Sequence, residues 1–147
     1  MLKNLQEAIN TNLKDERKDI ALDFAALLDK NGIFFTGEGR DWSVGGVYGN
    51  SPGYMMLDGS GNNMGVWLNL KVVFDDNSID SELKKFILDH VVQCPQSMCA
   101  PPHCKDSKNR FVVLGKEFTS TCHSPLAFLN PDAATYASMV QIFSLFK

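Results

Sequence analysis

The chain has 147 residues, of which 44% are apolar, 10% aromatic and 21% charged, within the usual limits of a single folded domain. Its 14 basic and 17 acidic side chains and a pI near 5.5 leave no positive surplus to draw in a phosphate backbone, so no nucleic acid is expected as a partner. No stretch approaches the ~18 consecutive apolar residues of a spanning helix, and no membrane is expected.

The opening Met1-Leu2-Lys3-Asn4-Leu5-Gln6 runs into Asn10-Thr11-Asn12 and then Lys14-Asp15-Glu16-Arg17-Lys18-Asp19. That leaves no apolar core for a secretory signal, and the expected location is the cytoplasm. From Leu2 to about Asp29, Leu2, Leu5, Ile9, Leu13, Ile20, Phe24 and Leu27/Leu28 recur mostly at three and four, the pattern of an amphipathic helix. Asn10-Thr11-Asn12 is a point at which it divides in two. Asn31-Gly32 supplies a C-terminal cap.

Ten of the eleven glycines fall between Gly32 and Gly65, with strand-type runs among them. Ser51-Pro52-Gly53 suits a turn between Val44–Tyr48 and Tyr54–Leu57. A loop over Asp58-Gly59-Ser60-Gly61-Asn62-Asn63 leads into Val66–Phe74, where Val66, Leu68, Leu70, Val72 and Phe74 alternate with Trp67, Asn69, Lys71 and Val73. That period of two predicts an antiparallel meander of three or four strands. Asp75-Asp76-Asn77-Ser78 offer N-caps for a helix whose stripe is Ile79, Leu83, Phe86, Ile87, His90 and Val91, ending near Gln93. Cys94–Asn109 has no period and reads as a loop. Phe111–Leu114 and Glu117–Cys122 flank Gly115-Lys116, and glycine first in a two-residue loop predicts a type II′ hairpin. Asn130-Pro131-Asp132 then starts a last helix with Asn130 as cap and Pro131 at the first helical position. Near its end Tyr136, Met139, Val140, Ile142, Phe143, Leu145 and Phe146 are apolar around much of the circumference, which suggests deep burial or a homodimer.

Every cysteine and histidine lies between His90 and His123: His90, Cys94, Cys99, His103, Cys104, Cys122 and His123. In the reducing cytoplasm, clustered thiols are read as metal ligands before disulfides. The expected hairpin register puts Cys122 opposite Asn109 and His123 opposite Lys108, returning Cys122 toward Cys104. His90 and Cys94 share a helical face if the central helix reaches that far. Four thiolates, Cys94, Cys99, Cys104 and Cys122, then suit a closed, structural Zn²⁺ site. His103 or His123 in place of one thiolate is the other ligand set, and buried cysteines that only pack are the bland reading. The cysteine spacings match no common ferredoxin pattern, so zinc is preferred to an iron–sulfur cluster. His90, on its helix's apolar stripe, is expected to be a hydrogen-bonded core histidine.

Cys94, Cys99, Cys104, the turn Gly115-Lys116-Glu117-Phe118 and Cys122 together resemble the C-terminal parts of uncharacterised bacterial proteins of similar size. In those, spaced cysteines precede a short strand, a Gly-Lys turn and one more cysteine. The resemblance covers about a third of the chain and implies a shared structural unit, with no activity attached.

Gly37-Glu38-Gly39-Arg40-Asp41-Trp42 begins like a dinucleotide fingerprint, but position 42 is tryptophan and no long helix opens there. Trp42, Tyr48, Tyr54, Trp67, Met55, Met56 and Met64 either line a soft pocket on one sheet face or fill the core under the helices, and core is favoured. Glu38, Asp41 and Asp58 are the carboxylates of the glycine-rich loops, and no nucleophile and base share a local motif.

The expected architecture is one α+β domain over residues 1–147: an antiparallel β-meander packed by N-terminal, central and C-terminal helices, with a Cys/His loop and hairpin over 90–124. The expected function is a small cytoplasmic binding or regulatory module, taking a small molecule or a protein, with zinc as a structural staple. The alternative is a metal- or cysteine-dependent enzyme acting on a small molecule.

Overall fold

The computed structural model describes residues 2–45, 53–68, 79–93, 111–118 and 121–145. The described residues form an α+β fold of four helices and eight strands, and the chain clusters into two compact units, residues 1–67 with 128–147 and residues 68–127.

In the first unit the N-terminal amphipathic stretch is two helices, α1 (Leu2–Asn12) and α2 (Asp15–Lys30). Asn12 and Thr11 turn their side chains back onto the carbonyls of Ala8 and Glu7, at 2.8 Å each, the local competition that weakens a helix at such residues. Asp15 takes a positive φ of 52° at the joint. The turn at Asn62 supports the restart: its side-chain oxygen accepts from the Lys14 N–H at 2.8 Å and its carbonyl from Arg17 at 2.9 Å. At the other end of α2, Gly32 (φ 66°) donates to Asp29 C=O at 3.0 Å and Ile33 to Leu28 C=O at 2.9 Å. This is a Schellman closure with the apolar pair Leu28 and Ile33 buried across it.

The strands β1 (Phe35–Glu38), β2 (Asp41–Val44), β3 (Gly53–Asp58) and β4 (Asn63–Leu68) follow in that order across the sheet. Phe35 pairs with Val44 and Gly37 with Trp42, and Trp42 pairs in turn with Met55. Directly paired residues share a face, so Phe35, Trp42, Val44, Met55 and Leu57 form one buried layer. The helices cover that layer. A methyl group added at Gly53 would run into the Phe143 ring of α4 (Ala133–Ser144), and Phe24 of α2 stacks on Tyr136 of α4 with centroids 4.8 Å apart. Gly37 is equally confined, since a Cβ there would collide with the Asp41 carbonyl and the Trp42 backbone. The Gly37-Glu38-Gly39 run therefore ends a strand and turns, with Gly39 at φ 59°.

Asn130 was expected to cap the last helix. Asp132 does so instead, accepting from the Thr135 N–H at 2.8 Å. Asn130, with φ 47°, ties the end of β8 (Thr121–Leu129) to β4: its N–H donates to Met64 C=O, its side-chain oxygen accepts from Met64 N–H, both at 2.8 Å, and its amide donates to Asn63 at 3.0 Å. The cap thus falls two positions later than expected, and Asn130 instead serves partners more than sixty residues away in sequence.

In the second unit α3 (Ser81–Asp89) is capped by Asp80, which accepts from the Leu83 N–H at 2.8 Å. The expected cap candidates Asp75-Asp76-Asn77-Ser78 lie outside the described residues. Leu83 and Ile87 are its buried stripe. The helix ends at His90 and not near Gln93, because Val91–Gln93 is strand β5 and pairs antiparallel with β8. β6 (Phe111–Val113) and β7 (Lys116–Phe118) form a separate hairpin. Its closing pair is Val113 with Lys116 in place of the expected Leu114 with Glu117, so each residue's partner lies two positions from the expected one. The loop is Leu114-Gly115, with φ values of 49° and 79°, the positive pair that a type I′ turn demands, in place of the expected type II′. Among the described strands the glycine-first loop is Gly39-Arg40, between β1 and β2.

Candidate functional site

Cys94, Cys99, His103 and Cys104 lie outside the described residues. Cys122 and His123 lie in β8 and only their backbone is described. The expected route for Cys122 was the Gly115 hairpin. The hairpin's described ladder pairs Phe111 with Phe118 and Val113 with Lys116, a register that does not lead to the expected pairing of Cys122 with Asn109 or of His123 with Lys108, and those two partners lie outside the described residues. A different pairing carries Cys122: Thr121 stands opposite Gln93, after a bulge that shifts the register from Val91–Leu126. Gln93 directly precedes Cys94 in the chain. The strand pair thus sets the residue before Cys122 opposite the residue before Cys94.

His90 and Cys94 share no helical face, since α3 stops at Asp89. His90 is half-buried, with Nδ1 at 2.7 Å from the Phe86 carbonyl and its ring 4.2 Å from the Phe86 ring. The expected hydrogen bond is present, but His90 stands half-buried at the helix end and not in the core. Among the described residues no three His, Cys, Asp or Glu side chains gather.

The aromatic and methionine set divides between two faces of the sheet. Trp42, Met55 and Met64 are core, and the buried Trp42 indole donates to the Gly39 carbonyl at 3.2 Å. Tyr54, Met56 and Trp67 alternate with them along the strands and stand on the opposite face, half-buried. Tyr54 and Trp67 are tilted with ring centroids 6.0 Å apart, and the Tyr54 hydroxyl donates to the Asp41 carboxylate. The Trp67 ring lies over Gly65, where a Cβ would collide with it. Tyr48 lies outside the described residues.

The three loop carboxylates have separate roles. Asp58 accepts from the Ser60 hydroxyl at 2.7 Å and its N–H at 3.1 Å, with Arg40 at 3.7 Å. The Ser60 hydroxyl bond, with lesser help from the Ser60 N–H and Arg40, holds its carboxyl below the usual carboxylate range. This is turn chemistry. Asp41 orients Tyr54. Glu38 stands at the β1–β2 tip and makes no ion pair among the described residues.

A region the sequence reading passed over is the strand Phe35–Glu38 itself. Its signal was the apolar pair Phe34-Phe35 four residues before the glycine-first dipeptide Gly39-Arg40, which satisfies the same turn rule that was applied to Gly115. No protein-family model, curated protein or solved structure matches the chain. No helix of the described residues is long and apolar enough to cross a membrane.

Proposed function

We propose that the chain is a small binding module of the cytoplasm, stapled by a structural Zn²⁺ on Cys94, Cys99, Cys104 and Cys122, with Tyr54, Met56 and Trp67 as its contact face for a small aromatic molecule. The observation that carries the binding role is the Tyr54–Trp67 pair, oriented by Asp41 on the sheet face opposite Trp42 and Met55. Aromatic rings and a flexible thioether beside a carboxylate supply apolar area with one polar handle. The zinc assignment is supported by the pairing of Thr121 with Gln93, the residues that precede Cys122 and Cys94 in the chain. Four thiolates close a tetrahedral ion and leave no position for water, so the metal in this reading holds a loop and activates nothing.

Two measurements test it. Elemental analysis of protein purified without added metal is expected to return close to one zinc per chain, and single Cys→Ser changes at the four positions to lower both zinc content and thermal stability. Metal below about 0.2 equivalents, with all four variants folding normally, would remove the staple. A thermal-shift screen of aromatic fragments is expected to raise the midpoint of the wild type and not of Trp67→Ala. Equal shifts in both would remove the contact face.

A further inference from the structure

β1 stands at the end of the strand order. The 2.7 Å bond from the Gly45 N–H to the Phe34 carbonyl marks those two as a hydrogen-bonded pair. In an antiparallel ladder such pairs alternate, so Thr36–Ser43 and Glu38–Asp41 are the others. Phe35 and Gly37 therefore turn their N–H and C=O groups away from β2. Among the described residues no strand takes them up. An edge of this kind is a template for another strand, and natural sequences blunt it with lysine, proline or a bulge. Phe34-Phe35-Thr36-Gly37 has none of these, its pairing with β2 is regular, and Phe34 is 43% exposed.

Two hollows flank this edge. One, of about 300 Å³, lies between α1 and the β1–β2 tip, with Asn4, Glu7 and Thr11 along the helix and Gly37, Glu38 and Trp42 on the sheet. The other, of about 400 Å³, is lined by Thr36, Gly37, Glu38 and Asp41. An extended peptide laid along β1 sends successive side chains to alternate faces, and so toward one hollow and then the other. Both are acidic. Glu7 meets Lys3 only at 4.0 Å with both side chains largely in water, a weak pair. Arg40 is turned away, toward Asp58 and the Leu57 carbonyl.

We propose that β1 is a docking edge for an extended peptide segment carrying arginine or lysine, which adds a strand through the backbone groups of Phe35 and Gly37 and places its basic side chains against Glu7 and Glu38. Main-chain bonds supply the attraction and the carboxylates the selectivity, the usual division in strand addition. The inference depends neither on the zinc staple nor on the Tyr54–Trp67 face.

The test titrates the whole chain, labelled with nitrogen-15, with three blocked peptides. One carries adjacent pairs of arginines between valines, so that one arginine of each pair faces each hollow, one has glutamate in place of arginine, and one is the arginine peptide with its backbone nitrogens methylated. The arginine peptide is expected to move the amide signals of Phe35 and Gly37 saturably, and the other two to leave them in place. Glu7→Lys and Glu38→Lys, both at exposed positions, are each expected to weaken binding about fivefold, the upper end of what one screened charge pair supplies, with the rest of the amide spectrum unchanged. The proposal is overturned by Phe35 and Gly37 signals that stay fixed at millimolar arginine peptide. It is equally overturned by a methylated peptide that moves them as far, or by undiminished binding in both charge-reversed variants.

Discussion

The buried phenol of Tyr136 donates to the thioether sulfur of Met64 at 3.1 Å, joining α4 to β4 across 72 positions of sequence. Sulfur is a weak acceptor and Phe24 stacks on the same ring, so the ring supplies most of the contact. Tyr136→Phe is expected to cost about 0.5–1 kcal/mol in urea unfolding, and Tyr136→Ala about 3–5 kcal/mol.

The same hydroxyl sets an alkaline limit. Burial pushes its pKa well above the ordinary tyrosine value, so the unfolded chain releases this proton before the folded one does. The stabilising difference is fully present below about pH 10 and is lost as pH rises beyond it. The gap between wild type and Tyr136→Phe is expected to narrow and then reverse in unfolding midpoints taken from pH 8 to pH 11.

Two glycines should respond to alanine for different reasons. Gly32 sits at φ 66° with open space around its Cβ position, so Gly32→Ala costs only left-handed strain, about 1 kcal/mol. Gly53 has an ordinary φ, but its Cβ would meet Phe143 in the core. Overpacking there is expected to cost about 1–3 kcal/mol. Denaturant midpoints of the two variants, alone and combined, check both values, and the losses should add because the sites share no partner.

Leu114 occupies a left-handed position, φ 49°, that a branched apolar side chain rarely takes. Leu114→Asn creates the Asn-Gly pair that type I′ turns favour. We expect it to raise stability by about 0.5–1 kcal/mol, read as a higher melting midpoint.

Acid should act through the turn and cap carboxylates. The Thr135 N–H, and then its side chain, hold Asp132 below the usual carboxylate range, as Ser60 does for Asp58. Their stabilising effect is present above about pH 4 and lost as pH falls through the lowered folded values. Asp132→Asn keeps a capping side chain without the titration, so its unfolding midpoint should fall less than that of wild type between pH 5 and pH 2.

Much of this architecture was legible along the chain. Positions spaced by three and four marked α2, α3 and α4, and Asn31-Gly32 marked the end of α2, because those signals are local. What escaped notice depended on distant partners. Val91 continued the α3 stripe by spacing, yet it is strand because β8 pairs with it. Asn130 looked like a cap because its bonds to Met64 and Asn63 span more than sixty residues. The strand β1 was missed for the opposite reason, being four residues long with three of them glycine or polar. For Cys122 the expected pairing was that of the Gly115 hairpin, whereas the described pairing next to it is Thr121 with Gln93, across a bulge between strands distant in sequence.

The bond between Tyr136 and Met64 also bears on the order of events during synthesis. The first unit draws on residues 1–67 and again on 128–147. Phe24 has no Tyr136 ring to stack on, and Met64 no Asn130 to close its strand, until the final twenty or so residues have left the ribosome. The intervening segment can complete its own pairings earlier, whereas the N-terminal half must wait with part of its apolar layer uncovered. Premature termination in α4 is therefore a folding lesion of the N-terminal helices and strands, sixty residues and more upstream of the stop.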